Sequence, residues 1–281
     1  MKLLRYIAGD EIRPGMLDAD GAIRDLTSVV FDIDEYAVSP EGLALIGTMD
    51  PSSLPKVSGD VELASPVSRP SKIVCIGLNY SDHAAEVGMD PPSEPIIFLK
   101  SSTALTGPSG PVIKPPHATK LDWEVELCVI MGSMASFVSE DDALEHVAGY
   151  AVGNDVSERE FQQERPAGQW TKGKSGDGWA PVGPWLVTKD EVPNPENLSI
   201  WLEVNGKKLQ NGSTDKLIFN IKQIVSFVSE YMTLLPGDII MTGTPPGVGA
   251  GMSPQQWLNA GDEMRLGIEG LGEQSQVVVG R

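Results

Sequence analysis

Short apolar runs separated by turn signals dominate the chain, the pattern of a β-rich protein. Residues 2–8 and 12–17 read as strands, and Asp18-Ala-Asp-Gly21 reads as a turn leading to a third. Ser39-Pro40 has the form of an N-cap followed by proline at the first helical position, which predicts a short helix through Leu45. From Val61 to Ser71 the pattern lapses into two prolines and three serines, a linker composition. A domain boundary is expected there, with a small N-terminal α+β domain over 1–70 and a second domain over 71–281. In the second domain Lys72–Gly77, Pro95–Lys100, Ile200–Val204, Asp238–Thr242, Met264–Ile268 and Gln276–Val279 read as strands, and Asn205-Gly206 is a hairpin signal. Helices are few. Asn220 caps one with Ile221, Ile224, Val225 and Val228 on a single face, and Ser139 and Ser253-Pro254 open segments that resemble capping boxes. Strands do not alternate regularly with long helices, which argues against a doubly wound sheet and for a β-rich α+β fold.

A chain of 281 residues can bury a large core. Its formal net charge of −18 disfavours non-specific binding to nucleic acid or to an anionic membrane. No apolar stretch is long enough to span a bilayer, and Met1-Lys-Leu-Leu-Arg-Tyr6 lacks a secretory apolar region. Cys75 and Cys128 sit in apolar strand-like runs and read as buried free thiols, so a cytoplasmic protein is expected. An acidic enzyme that handles an anionic substrate must concentrate positive charge locally, from a metal, lysines or arginines.

Glu124 and Glu126 lie two apart in an apolar strand-like run and therefore share a face with Cys128 and Ile130. Two like charges that close resist burial unless something positive holds them. A Glu-x-Glu pair is also what a solvated strand face looks like. Asp155, ending the apolar run from His146, adds a third carboxylate at a strand end, and an all-oxygen site for a hard divalent cation such as Mg²⁺ becomes the simplest candidate. His83 and Glu86 stand three apart on a short predicted helix that Ser81 and Asp82 begin and Gly88 stops. A carboxylate beside an imidazole fixes its tautomer and raises its basicity, which makes a general base. A surface polar pair has the same spacing. His117, in a proline-rich loop, and His146, near a helix end, are less well placed.

Gly168-Gln-Trp-Thr-Lys-Gly173-Lys174-Ser175 satisfies the Walker A pattern, but no apolar strand feeds it and Gly176-Asp-Gly-Trp-Ala-Pro181 cannot continue as a helix. Nucleotide binding is therefore not expected, and Lys174 remains as an ammonium in a glycine-rich loop. Thr242-Gly-Thr-Pro-Pro-Gly-Val-Gly249 reads either as a plain turn or as a loop presenting N–H groups to an anion.

Several separated motifs now fall into one order: Gly77-Leu-Asn-Tyr-Ser-Asp-His83, Phe98-Leu-Lys100, Leu121-Asp-Trp-Glu-Val-Glu126, Gly153-Asn-Asp-Val-Ser-Glu-Arg159, Lys174-Ser-Gly-Asp177, Gly183-Pro-Trp185 and the Thr242–Gly249 loop. From about Lys72 onward the chain resembles the fumarylacetoacetate hydrolase family. The resemblance implies a mixed β-roll fold, a homodimer, and Mg²⁺ (or Mn²⁺) held by Glu124, Glu126 and Asp155. It implies that His83 and Glu86 activate water, that Lys174 is the catalytic lysine, and that Arg159, Gln162, Thr244 and Lys100 contact the substrate. The N-terminal extension and the form of the lysine loop look like the family's sugar-acid branch, often labelled ureidoglycolate lyase. That placement implies hydrolysis of a 2,4-diketo-3-deoxy acid derived from rhamnonate or fuconate, with 2,4-diketo-3-deoxy-L-rhamnonate, giving pyruvate and lactate, as the favoured substrate. Two other readings stand beside it. The same site could serve oxaloacetate decarboxylation or keto–enol isomerisation, or the protein could bind sugar acids without catalysis.

Overall fold

The computed structural model describes residues 1–86 and 88–281. Strands β1 (Lys2–Ala8), β2 (Glu11–Leu17), β3 (Ile23–Asp25), helix α1 (Pro40–Gly47) and β4 (Leu63–Ala64) form the N-terminal part. There follow β5 (Ile73–Gly77), α2 (Ser81–Glu86), β6 (Ile96–Lys100), β7 (Leu105–Thr106), β8 (Val112–Lys114), β9 (Leu121–Asp122), β10 (Val125–Met131) and β11 (Val147–Asn154). The chain continues through β12 (Ser157–Glu158), β13 (Ala180–Thr188), β14 (Ser199–Val204), β15 (Lys207–Ser213), α3 (Ile221–Tyr231), β16 (Ile239–Met241), β17 (Glu263–Ile268) and β18 (Gly272–Gly280). This is an α+β fold dominated by mixed sheets with a small N-terminal α+β subdomain. No helix among the described residues is long and apolar enough to cross a membrane.

Local signals explain most elements. The Ser39 side chain accepts from the Gly42 N–H and Pro40 opens α1. Asn220 and Gln223 form a reciprocal capping box on α3, whose Ile221, Ile224, Val225 and Val228 are buried. Asn205 (φ 50°) and Gly206 (φ 75°) take the left-handed conformation that joins β14 to β15 as a hairpin. Two capping-like segments differ from expectation. Ser139 Oγ and Asp142 bond each other in an isolated turn (2.7 Å), followed only by a 3₁₀ turn at Ala143–His146, and Ser253 opens no helix.

The main sheet runs β3-β2-β1-β13-β11-β10-β16-β5-β6, with β4 on β1 and β7 on β13. A five-stranded sheet, β15-β14-β17-β18-β8, covers one face of it. The segment expected to link two domains contains β4, and β1 pairs antiparallel with β13 (Leu3↔Leu186), so the N-terminal subdomain extends the main sheet. Its Leu3, Leu26 and Ile33 share one apolar core with Ile73, Cys75, Cys128 and Ile130. The other core lies between the sheets, where Val125, Leu127 and Val129 of β10 meet Ile200, Leu202 and Leu266. Strand β10 is thus buried on both faces, and its even-numbered face ends in Glu126 and, one step ahead of the strand, Glu124. The two cysteines are free and buried.

Candidate active site

The carboxylates converge because of strand register. Strands β10 and β11 pair with Val125 opposite Asn154 and Glu126 opposite Gly153, and the Asp155 N–H donates to the Glu124 carbonyl at 2.9 Å. Gly153 must lack a side chain, since a Cβ there would lie 2.3 Å from Cys128 Sγ. One oxygen from each of Glu124, Glu126 and Asp155 lies within 4.8 Å of the others, and all three residues are buried.

Cations gather around this trio. Lys174 Nζ donates to Glu124 Oε2 (2.7 Å) and Asp155 Oδ2 (2.9 Å), with its side chain almost wholly buried. Lys100 Nζ bonds the other Asp155 oxygen and the Val156 carbonyl (3.1 Å). Arg159 Nη2 reaches Glu124 Oε1 at 2.7 Å. Burial alone would raise the Glu124 carboxyl, but Lys174 and Arg159 outweigh it and bring it down to about 2. Burial likewise opposes the Lys174 ammonium, and Asp155 and Glu124 more than restore it, so its pKa is raised. Glu126 is the exception. Its hydrogen bond comes from the Gly243 N–H (2.7 Å), and burial, then Asp155 and Glu124, push its carboxyl well above the usual range. Among the described residues no lysine or arginine pairs with it directly. A crowded, oxygen-only donor set with one carboxylate short of positive charge fits a hard divalent cation.

The loop after β16 does present N–H groups to anions, and the anions are the protein's own. Gly243 N–H goes to Glu126, Gly247 N–H to Glu86 Oε1 (2.9 Å), Gly249 N–H to Asp122 Oδ1 (2.7 Å) and Ala250 N–H to Asp122 Oδ2 (3.0 Å). Asp122 is fully buried, also accepts from the Trp123 N–H (2.9 Å), and pairs with Arg159 Nε at 2.8 Å. It orients Arg159 and anchors the loop. Asp122 lies inside the Leu121–Glu126 motif, but no local spacing marks its role, because its partners are distant in the chain.

The dyad forms. His83 Nδ1 and Glu86 Oε2 are 2.8 Å apart on α2. Gly251 lets the glycine loop close over this pair, since a Cβ there would lie 2.8 Å from the Glu86 carboxyl carbon. Both residues line a cavity of about 500 Å³ together with Glu124, Glu126, Arg159, Gln162, Lys174 and Thr244. Arg159 Nη1 donates to Gln162 Oε1 (3.1 Å), and the Thr244 hydroxyl donates to the Val125 carbonyl (2.9 Å). Lys100 corrects one expectation. Its side chain is wholly buried, committed to Asp155 and Val156, and not on the cavity wall, so it supports a carboxylate instead of touching substrate. His146 bonds Ser133 (2.9 Å) away from this cavity.

The Walker-like stretch is no phosphate loop. A π-helical turn at Glu160–Glu164 precedes it, Trp170–Gly173 form a 3₁₀ turn, and strand β13 follows. Gly173 is required because the turn rests on the backbone of Gln162, where a Cβ would approach the Gln162 nitrogen to 2.5 Å. That contact brings Lys174 beside Arg159 and Gln162.

Residues 72–279 match the family model described as fumarylacetoacetate (FAA) hydrolase C-terminal. A Burkholderia multivorans protein named as a hydrolase is 52% identical over 278 residues, covering 99% of this chain and 98% of the relative. The structure of maleylpyruvate hydrolase from Sphingobium sp. SYK-6, in complex with manganese (II) ion and pyruvate, has a TM-score of 0.83 at 30% identity and covers 100% of this chain and 99% of its own. That of 5-carboxymethyl-2-hydroxymuconate delta-isomerase from Mycobacterium smegmatis has a TM-score of 0.78 at 31% identity, with coverage of 100% and 99%.

Proposed function

Because the chain belongs to the fumarylacetoacetate hydrolase family, we propose that it is a divalent-cation-dependent hydrolase that cleaves a carbon–carbon bond in a 2,4-diketo acid. The observation that carries this reading is the buried carboxylate trio, of which Glu124 and Glu126 open onto the same cavity as the His83–Glu86 dyad while Asp155 stands behind them. Mg²⁺ or Mn²⁺ held by Glu124, Glu126 and Asp155 would polarise the substrate's 2-keto oxygen and offset the charge that develops there. Glu86 accepts the Nδ1 proton of His83 and leaves the Nε2 lone pair to take a proton from water. The water oxygen bonds C4 and the C4 carbonyl π pair moves onto its oxygen; that oxyanion then re-forms the carbonyl and the C3–C4 bond breaks. The electron pair passes to C3 and delocalises as the enolate of pyruvate, and the proton returns from His83 to C3. Lys174 offsets the oxyanion on C4 in the tetrahedral intermediate. Arg159, Gln162 and Thr244 flank the keto-acid head. The substrate that the sequence favours, 2,4-diketo-3-deoxy-L-rhamnonate, would give pyruvate and lactate. The manganese and pyruvate held by the maleylpyruvate hydrolase relative support this choice of cation and product.

The test is pyruvate release from a 2,4-diketo acid with and without added Mg²⁺ or Mn²⁺. Replacing His83 with alanine is expected to lower kcat by about 10²–10⁴ with little change in KM, the usual range for loss of a general base. Full turnover by that variant would end the water-activation role. Turnover of oxaloacetate to pyruvate and CO₂, with no diketo acid cleaved, would move the protein to the decarboxylase reading.

A further inference from the structure

Beside the carboxylates and the dyad, the cavity also has an apolar wall, which begins where Lys174 Nζ lies 5.0 Å from the centre of the Phe98 ring. It is built from Ile76, Leu78, Met89, Ile96, Phe98 and Trp170. Trp170 meets Phe98 edge to face, with ring centroids 5.4 Å apart and planes at 63°. Its indole also lies on the bare end of β5, where a Cβ at Gly77 would come within 2.6 Å of the ring. Ile96, Phe98 and Trp170 are shared with a second, apolar groove of about 780 Å³ that runs along the edge strand β6. The partition between cavity and groove is therefore one side chain thick, and Trp170 is its largest member.

The positive charge on this wall is already committed. Among the described lining residues the permanent cations are Arg159 and Lys174. Arg159 gives Nε to Asp122 (2.8 Å), Nη1 to Gln162 (3.1 Å) and Nη2 to Glu124 (2.7 Å). Lys174 is divided between Glu124 and Asp155. A keto-acid head draws on these same two groups, which leaves no counter-charge for a second carboxylate. The neutral amides of Gln163 and Gln255 also reach the wall and can bond a hydroxyl.

We propose that Trp170, seated on Gly77 and Phe98, closes the side of the substrate cavity that borders the β6 groove and selects a short, uncharged tail with an apolar terminus. This rests on the reading of the site as a diketo-acid site and names the tail that it takes. A methyl, ethyl or 1-hydroxyethyl group on C4 fits the wall. A tail ending in a carboxylate would be buried without a partner, and a long alkyl tail would strike the indole.

The test uses 2,4-diketo acids that differ only in the C4 tail: methyl, ethyl, hexyl and 2-carboxyethyl. Each is assayed for cleavage by the cation-loaded protein and, separately, for binding by calorimetry. Ethyl is expected to exceed 2-carboxyethyl by about 100-fold and hexyl by about 10-fold in kcat/KM, the scale of pocket discrimination. Trp170→Ala, which joins cavity to groove, should raise the hexyl-to-methyl ratio at least about tenfold, a gain that a merely destabilised protein would not show. Trp170→Phe keeps a ring over Gly77 and should hold the native ratio within about threefold. Equal use of ethyl and 2-carboxyethyl tails, or an unchanged hexyl-to-methyl ratio in Trp170→Ala, overturns the proposal. Binding that ranks the tails as predicted, with none of them cleaved, leaves the tail site standing and removes the hydrolase reading instead.

Discussion

Asp122 and Glu126 are buried carboxylates four residues apart, and their surroundings could hardly differ more. Asp122 accepts three backbone N–H groups, from Trp123, Gly249 and Ala250, and pairs with the Arg159 guanidinium. Its charge is settled by the protein alone. Glu126 accepts one backbone N–H, from Gly243, and stands beside two further carboxylates whose lysines are directed elsewhere. The first is how a fold stabilises a buried charge for structure. The second is how a fold leaves a charge deficit for something else to fill, and a divalent cation is the natural occupant.

The contrast can be broken in four ways. The largest effect is expected from Glu126→Gln. Cation uptake measured by calorimetry should be lost and kcat/KM should fall about 10³-fold or more, since a metal supplies several kcal/mol of charge stabilisation. The cation-free variant should melt no lower than the parent, because the amide still accepts from Gly243 and like-charge repulsion is relieved. A lower melting temperature would show that Glu126 is structural after all. Asp122→Asn should do the opposite and cost about 3 kcal/mol in urea unfolding, because it removes half of a buried ion pair. An unchanged unfolding midpoint would contradict the anchoring role of Asp122.

The third test is pH. The Glu126 carboxyl is raised in the folded chain, so the folded state binds that proton more tightly than the unfolded state does. Its contribution to stability is fully present below the ordinary glutamate value of about 4.3 and is lost as pH rises through the raised folded value. In that window the cation-free protein should lose up to about 1.4 kcal/mol per pH unit from this group, and added Mg²⁺ should restore stability while releasing a proton. Calorimetry in two buffers of different ionisation enthalpy reads the released proton, and no release would contradict the protonated state. The smallest effect is expected from Gly251→Ala, whose Cβ presses on the Glu86 carboxyl. A fall in kcat of about tenfold at nearly constant KM should follow, and loss of KM alone would place Glu86 in substrate binding instead.

The parts of the site that the sequence made legible are those built on short periods. Glu124 and Glu126 share a face because a strand repeats every two residues, and His83 meets Glu86 because a helix brings positions three apart together. The Walker-like pattern could be set aside because its flanks fit neither a strand nor a helix, and the π-helical and 3₁₀ turns around it agree. Asp122 carries no such local signal, because its partners, Arg159, Gly249 and Ala250, are distant in the chain. Lys100 was assigned to the substrate by resemblance, and only its burial behind Asp155 shows what it touches. The apparent linker at Val61–Ser71 concealed β4 because prolines mark a break in local pattern and carry no information about which strand lies alongside.

By itself the sequence determined the local elements, the capped helices, the hairpin at Asn205-Gly206, and which acidic, imidazole and ammonium groups were available to react. Only the tertiary structure decided which of those charges are already neutralised and which are left wanting. It also decided that a tryptophan lies between the cavity and the groove along β6. The physical reason is that burial, register and backbone N–H direction depend on partners tens to more than a hundred residues away, and no local period records them.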